Sequence, residues 1–122
     1  MNAQELINRT TAFARSCFLL AERLPDTWPG EHLRIQLIKS ATSVAANYRA
    51  SRLAQSQASF ISKLSIVIEE ADETEFWIDF VLSLKLISED MARPLKKEAY
   101  ELASIFISSR RTLLNNQNKS RN

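Results

Sequence analysis

The chain has 122 residues, enough for one domain that buries roughly two-thirds of its unfolded surface. An apolar fraction of 45%, a charged fraction of 25% and a net charge of +2 are those of an ordinary globular chain, too weakly basic to argue nucleic-acid binding by charge alone. One glycine (Gly30) and three prolines (Pro25, Pro29, Pro94) leave few backbone breaks, so long helices joined by few turns are expected.

Helix 1 is predicted over 2–24, with Leu6, Thr10, Phe13, Cys17, Leu20 and Leu24 at the alternating steps of three and four of an amphipathic helix. "PDTWPG" (25–30) ends it with two prolines and the glycine. Helix 2 is predicted over 31–54, with Leu33, Leu37, Ala41, Val44 and Tyr48 facing inward. Ser56 reads as the N-cap of helix 3, predicted over 57–86 with Phe60, Leu64, Val67, Ala71, Ile78 and Leu82 as its core stripe. Ser88 or Asp90 caps helix 4, predicted over 90–114 with Leu95, Ala99, Leu102, Phe106 and Leu113 inward and Pro94 in or near its first turn. Residues 115–122, "NNQNKSRN", have nothing apolar to bury and are expected to form a disordered basic tail. Short connections make successive helices antiparallel, so the fold class is all-α, an up-down-up-down four-helix bundle.

Helix 3 carries more apolar surface than one core absorbs. At about 100° per residue, Ile66, Trp77, Phe80 and Leu84 fall together, away from the core stripe. Ile35 and Ile38 lie off the stripe of helix 2 in the same way. Either a wide helix packs against two neighbours, or these residues form a subunit interface, where aromatics are enriched. The second reading predicts a homo-oligomer. Charge is also segregated: residues 32–68 hold Arg34, Lys39, Arg49, Arg52 and Lys63 with no acid, and residues 69–79 hold six acids, Glu73 among them, with no base. Such blocks form solvated faces, or a basic helix 2 meets an acidic helix 3 of the next copy and closes a ring.

Signals for chemistry are sparse. A di-iron bundle needs Glu-x-x-His pairs, and His32 is the only histidine. There is no phosphate-cradling glycine loop and no Ser-His-acid arrangement. The expectation is a protein without enzymatic activity, metal, cofactor or small-molecule substrate. Cys17 reads as a small core hydrophobe, and a single cysteine forms no internal disulfide. With no secretory leader pattern and no apolar run of membrane-spanning length, a cytoplasmic location is expected.

Asn47 lies at the flank of the helix 2 stripe, where it can hydrogen-bond to a neighbouring helix or subunit. On the other flank Arg34, Arg49 and Arg52 fall within about 60° of one another. They either pair with the helix 3 acids or form a basic ridge that tracks a phosphate backbone. Lys39 and Lys63 would extend that basic surface, and Arg110, Arg111, Lys119 and Arg121 would add a flexible, acid-free basic arm.

The segment "SVAANYRASRLAQSQASFISKLSIVIEEADETEFWIDFV" (43–81) resembles the four helix bundle protein family, also called intervening-sequence proteins, some of which are encoded within intervening sequences of bacterial 23S ribosomal RNA genes. Ser43, Val44, Ala46, Asn47, Tyr48 and Arg49 match the family's S-[IV]-x-x-N-[IY] segment, and Phe60, Leu64, Glu70, Ala71, Glu73 and Trp77 match the pattern that follows. Arg49 and Ala50 stand where many members have an acid and a glycine, the mark of an "ANYR" branch. The resemblance covers about residues 10–115. It implies an antiparallel bundle assembled into a ring, commonly a pentamer. A similar bundle serves diversity-generating retroelements as an accessory protein that binds reverse transcriptase and nucleic acid through a basic ring. Two functions are therefore expected as alternatives: binding of structured RNA through the basic surface, or an oligomeric protein-interaction scaffold whose arginines hold subunits together.

Overall fold

The computed structural model describes the backbone of residues 1–121 and the side chains of residues 1–119. Four helices follow one another: α1 (Ala3–Ala21), α2 (Trp28–Ser51), α3 (Gln57–Ser83) and α4 (Glu89–Arg121). No strand occurs among the described residues. Each helix packs along its neighbours in sequence and α4 closes on α1, while the diagonal pairs make no close backbone approach. This is the expected antiparallel bundle.

Side-chain caps set where the helices start. Asn2 Oδ1 accepts from the Glu5 backbone N–H at 2.8 Å, and the Glu5 carboxylate accepts from the Asn2 N–H at 3.2 Å, a reciprocal capping box. Ser56 Oγ accepts from the Ser59 N–H at 3.0 Å, and Ser88 Oγ from the Met91 N–H at 3.4 Å. Helix 2 begins at Trp28, three residues before the expected start, because Thr27 caps it by accepting from the Gly30 N–H at 3.1 Å. Pro29 sits in the first turn, where a backbone N–H has no helical partner to lose. Gly30 is required by close approach: a Cβ there would lie 2.0 Å from the Pro25 carbonyl oxygen.

Three helices stop short of their predicted ends, at Ala21, Ser51 and Ser83, because their last turns tighten. Leu24 and Ala54, for example, donate to carbonyls only three residues back. After α3, Lys85 takes a left-handed φ of 57°, and the Leu86 N–H reaches the Val81 carbonyl at 3.2 Å while the Lys85 N–H reaches that of Leu82 at 2.9 Å, a Schellman stop. Helix 4 differs most. It continues to Arg121 instead of ending at 114, since no glycine or proline follows Pro94 and extending an existing helix needs no new nucleus. The expected disordered tail is thus helical through residue 121, while the Arg121 side chain and Asn122 lie outside the described residues. Pro94 sits just past the first turn of α4, near its predicted place.

The predicted stripes form the core. Phe13, Cys17, Leu37, Val44, Leu64, Val67, Ile78, Leu102 and Phe106 are fully or almost fully buried. Phe60, Leu82, Leu95 and Leu113 pack against this core at its margins. The buried hydroxyls of Thr10, Ser40, Ser51 and Thr74 donate to carbonyls of their own helices, which satisfies them without cross-helix polar contacts. The α1–α4 seam is joined by Arg9, whose guanidinium donates to Glu98 at 2.7 and 2.6 Å and to Glu101 at 2.8 Å. Among the described residues, no helix is long and apolar enough to cross a membrane.

Candidate functional site

The antiparallel order gathers the start of α1, the end of α2, the start of α3 and the distal part of α4 at one end of the bundle. Arg49, Arg52, Lys63, Arg110 and Arg111 all lie toward this end, and no acid occurs in 32–68 or after Glu101. Glu5 is the acid carried there by α1. Among the described residues, none of the five bases enters an ion pair. Arg110 donates to Ser65 Oγ at 3.1 Å, which ties α4 to α3. The Arg52 guanidinium lies 5.7 Å from the Phe60 ring centroid, within cation–π range. Arg49 and Arg111 are exposed.

An open cavity of about 380 Å³ indents this end. Its walls include Tyr48, Arg52, Phe60 and Phe106. The Tyr48 and Phe106 rings meet at 4.9 Å with a 37° tilt. Burial raises the Tyr48 phenol above its ordinary range, opposed in part by the nearby Arg52 charge.

Two members of the predicted basic ridge belong elsewhere. Arg34 turns to the α1–α2 junction, where its guanidinium donates to the Leu24 carbonyl at 2.7 Å, the Ala21 carbonyl at 3.3 Å and Asp26 at 3.1 Å. It satisfies the carbonyls at the end of α1 and is unavailable to an external phosphate without giving them up. Lys39 lies near Glu70, whose carboxyl is nonetheless held above its usual range by burial and then by Glu73. Within the subunit Arg34, Arg49 and Arg52 do not pair with the α3 acids; Lys96 of α4 takes Asp79 instead, at 2.8 Å. Within the subunit the Asn47 amide donates to the Ser43 carbonyl of its own helix at 2.9 Å.

The off-stripe apolar residues divide into two groups. Ile38, Ile66 and Trp77 are half-buried, with Ile38 and Trp77 packed against the core. Ile35, Phe80 and Leu84 are exposed, as expected. The structure adds Phe76, Trp28 and His32. Phe76 and Trp28 are 53% and 80% exposed. Trp28 stacks on His32 at 6.2 Å, His32 meets Trp77 edge-on at 6.1 Å, and Trp77 contacts Phe76 and Phe80 at 4.9 and 6.2 Å. The result is a continuous aromatic surface joining the start of α2 to the end of α3, away from the basic end. Glu73 accepts from the Trp77 indole N–H at 3.3 Å and so belongs to its border. Phe76 was legible as the residue one turn before Phe80. Trp28 and His32 were hidden by starting helix 2 at residue 31, which leaves Trp28 outside the helix and obscures their i,i+4 spacing.

Cys17 is buried and its thiol is pushed up to about 12 by loss of solvation. Among the described residues, no group of three or more His, Cys, Asp or Glu side chains is placed to hold a metal.

No curated protein sequence matches the chain. A crystal structure of a protein of unknown function from the S23 ribosomal protein family of Bacteroides thetaiotaomicron is similar in fold, with 29% identity, a TM-score of 0.79, and coverage of 84% of this chain and 95% of that one. The profile of the 23S rRNA-intervening sequence proteins matches residues 3–108, the four helices up to the distal part of α4. With the motifs of α2 and α3 and the bundle they build, that match places the chain in the 23S rRNA-intervening sequence protein family.

Proposed function

We propose that the protein is a non-enzymatic homo-oligomer that binds structured RNA through the basic end of its bundle. The observation that carries this reading is the convergence of Arg49, Arg52, Lys63, Arg110 and Arg111 at one end, without internal ion pairs among the described residues. Unpaired guanidinium and ammonium groups gain from phosphate contact through counterion release, a collective and salt-dependent effect. A subunit charge of +2 is weak by itself. Assembly multiplies it, and the aromatic surface of Trp28, Phe76, Trp77 and Phe80 supports assembly because it is apolar and distant from the bases. The ring of five implied by the family resemblance is the expected form, acting in the cytoplasm.

The exposed aromatic surface also favours a rival, a protein-interaction scaffold that ignores RNA. A salt titration of RNA binding by wild type and by the Arg49→Ala/Arg52→Ala variant separates the two. RNA binding predicts affinity that falls steeply with ionic strength and is weakened strongly in the variant, with assembly intact. If wild type has no affinity for RNA and the variant loses its assembly, the scaffold reading stands.

A further inference from the structure

We propose that a groove between α1 and α4 of one subunit receives Trp28 of a second copy, so that the oligomer is built head to tail. The proposal rests on the homo-oligomeric part of the reading above and names the surface that covers the aromatic patch. α1 and α4 pack less closely than the other three neighbouring helix pairs. Arg9 clamps their seam to Glu98 and Glu101, and no ion pair holds it further along α1 among the described residues. There a groove of about 330 Å³ stays open, walled by Leu19, Leu20, Met91, Pro94 and Leu95, with Arg23 as its charged residue. Its volume is at the lower end of the roughly 300–1,000 Å³ that small-molecule sites span, so it suits one compact ring system. An indole is such a ring, and Trp28 holds one almost wholly in solvent.

The order of the helices makes the two surfaces complementary. The α1–α4 and α2–α3 seams lie on opposite sides of the bundle, and the end of α1 stands level with the starts of α2 and α4 and the end of α3. His32 links Trp28 to Trp77, so the knob belongs to the α2–α3 side. Groove and knob therefore lie at one height on opposite faces. A subunit cannot fill its own groove, but the next copy can. Contact at equal height adds no rise from copy to copy, which a closed ring requires. Charge favours this contact over a two-fold one. Glu31 and Glu73 border the aromatic surface, Arg23 lines the groove, and Arg15 stands one turn before Leu19. All four are exposed and outside any ion pair among the described residues. Aromatic surface on aromatic surface would set acids against acids, whereas the head-to-tail contact sets them against arginines. The exposed parts of Trp28, Ile35, Phe76, Phe80 and Leu84 together present roughly 500 Å². With the charged border, that approaches the ~800 Å² per partner of a stable interface.

Sedimentation velocity of two variants, alone and mixed, tests the contact. Trp28→Ala lacks the knob and keeps the groove. Leu19→Glu keeps the knob and places an acid in the groove, where it faces the acidic border of the next copy. Leu19 is 56% exposed and glutamate forms helix about as well as leucine, so the fold is retained. Circular dichroism checks this; should Leu19→Glu lose its helix, Arg23→Glu at the exposed wall replaces it with the same expected outcomes. Each variant alone should self-associate about tenfold or more weakly than wild type. Mixed in equal amounts, at a concentration where each alone is a single chain, they should form a species of two chains and stop there. One Trp28 then meets one intact groove, and the remaining surfaces are both spoiled. A groove variant that assembles with wild-type affinity, or a mixture no heavier than its parts, overturns the head-to-tail contact and leaves an oligomer built another way. Wild type that stays a single chain at every concentration overturns the contact and the homo-oligomeric reading together.

Discussion

Trp28→Ala is the most informative test of the aromatic surface. Trp28 is 80% exposed, so of a side chain of up to ~250 Å² roughly 200 Å² faces solvent and about 50 Å² is packed within the subunit. At ~25 cal/mol per Å², covering the exposed part by another copy contributes at most about 5 kcal/mol, whereas the buried part supports the subunit by about 1 kcal/mol. Because 1.4 kcal/mol is a factor of ten, even one-third coverage weakens association more than tenfold, and full coverage by up to about three and a half decades. The variant should therefore dissociate far more readily than it unfolds. Sedimentation velocity over a dilution series reads the first quantity. Urea unfolding at concentrations where both proteins are monomeric reads the second, free of the mass-action contribution of assembly. Two results would refute the reasoning: a single-chain mass for wild type throughout the series, or a variant that assembles with wild-type affinity.

Four other perturbations follow from the geometry. Gly30→Ala would gain roughly 1 kcal/mol of helix propensity, but the new Cβ meets the Pro25 carbonyl oxygen at 2.0 Å. A net loss of about 1–3 kcal/mol is expected, read as a Tm lowered by several degrees. Lys85→Gly relieves a left-handed conformation with φ 57° at the end of α3 and should raise stability by about 1 kcal/mol in urea unfolding. Cys17, with its thiol pushed up to about 12 and its sulfur buried, should react with a thiol reagent at pH 8 at least ~100-fold more slowly in the native protein than in guanidinium. Glu75 is held above its usual range first by burial and then by Asp79 and Asp72. The folded state thus holds this proton more tightly than the unfolded one, so stability falls as pH rises from the ordinary glutamate range through the raised value. Glu75→Gln should melt above wild type at neutral pH, and the gain should vanish in acid below both values.

The bundle was legible because its stripes are local. Leu6 to Leu24, Leu33 to Tyr48 and Leu95 to Leu113 repeat at steps a helix converts directly into one face, whichever helix later covers it. Helix ends were less legible, since Thr27 and Gly30 act through a cap and a contact with Pro25 that the tripeptide "WPG" does not reveal. The site was half legible. Wheel geometry grouped Arg34 with Arg49 and Arg52 because all three share a flank of α2, yet they lie up to five turns apart. At one end of that flank the α1 carbonyls claim Arg34; at the other, Arg52 stands over Phe60. Asn47 likewise took the carbonyl of Ser43, a partner always within reach one turn back.

From composition and periodicity alone came four helices, their buried faces, the absence of a recognisable catalytic motif and an apolar excess on α3. Only the folded chain decided which charges stay unpaired, that Trp28 and His32 complete the aromatic surface, and that Arg52 stands over Phe60. The division has one cause. A helix's faces follow from the spacing of its own residues, whereas a side chain's partners are set by neighbouring helices far away in sequence.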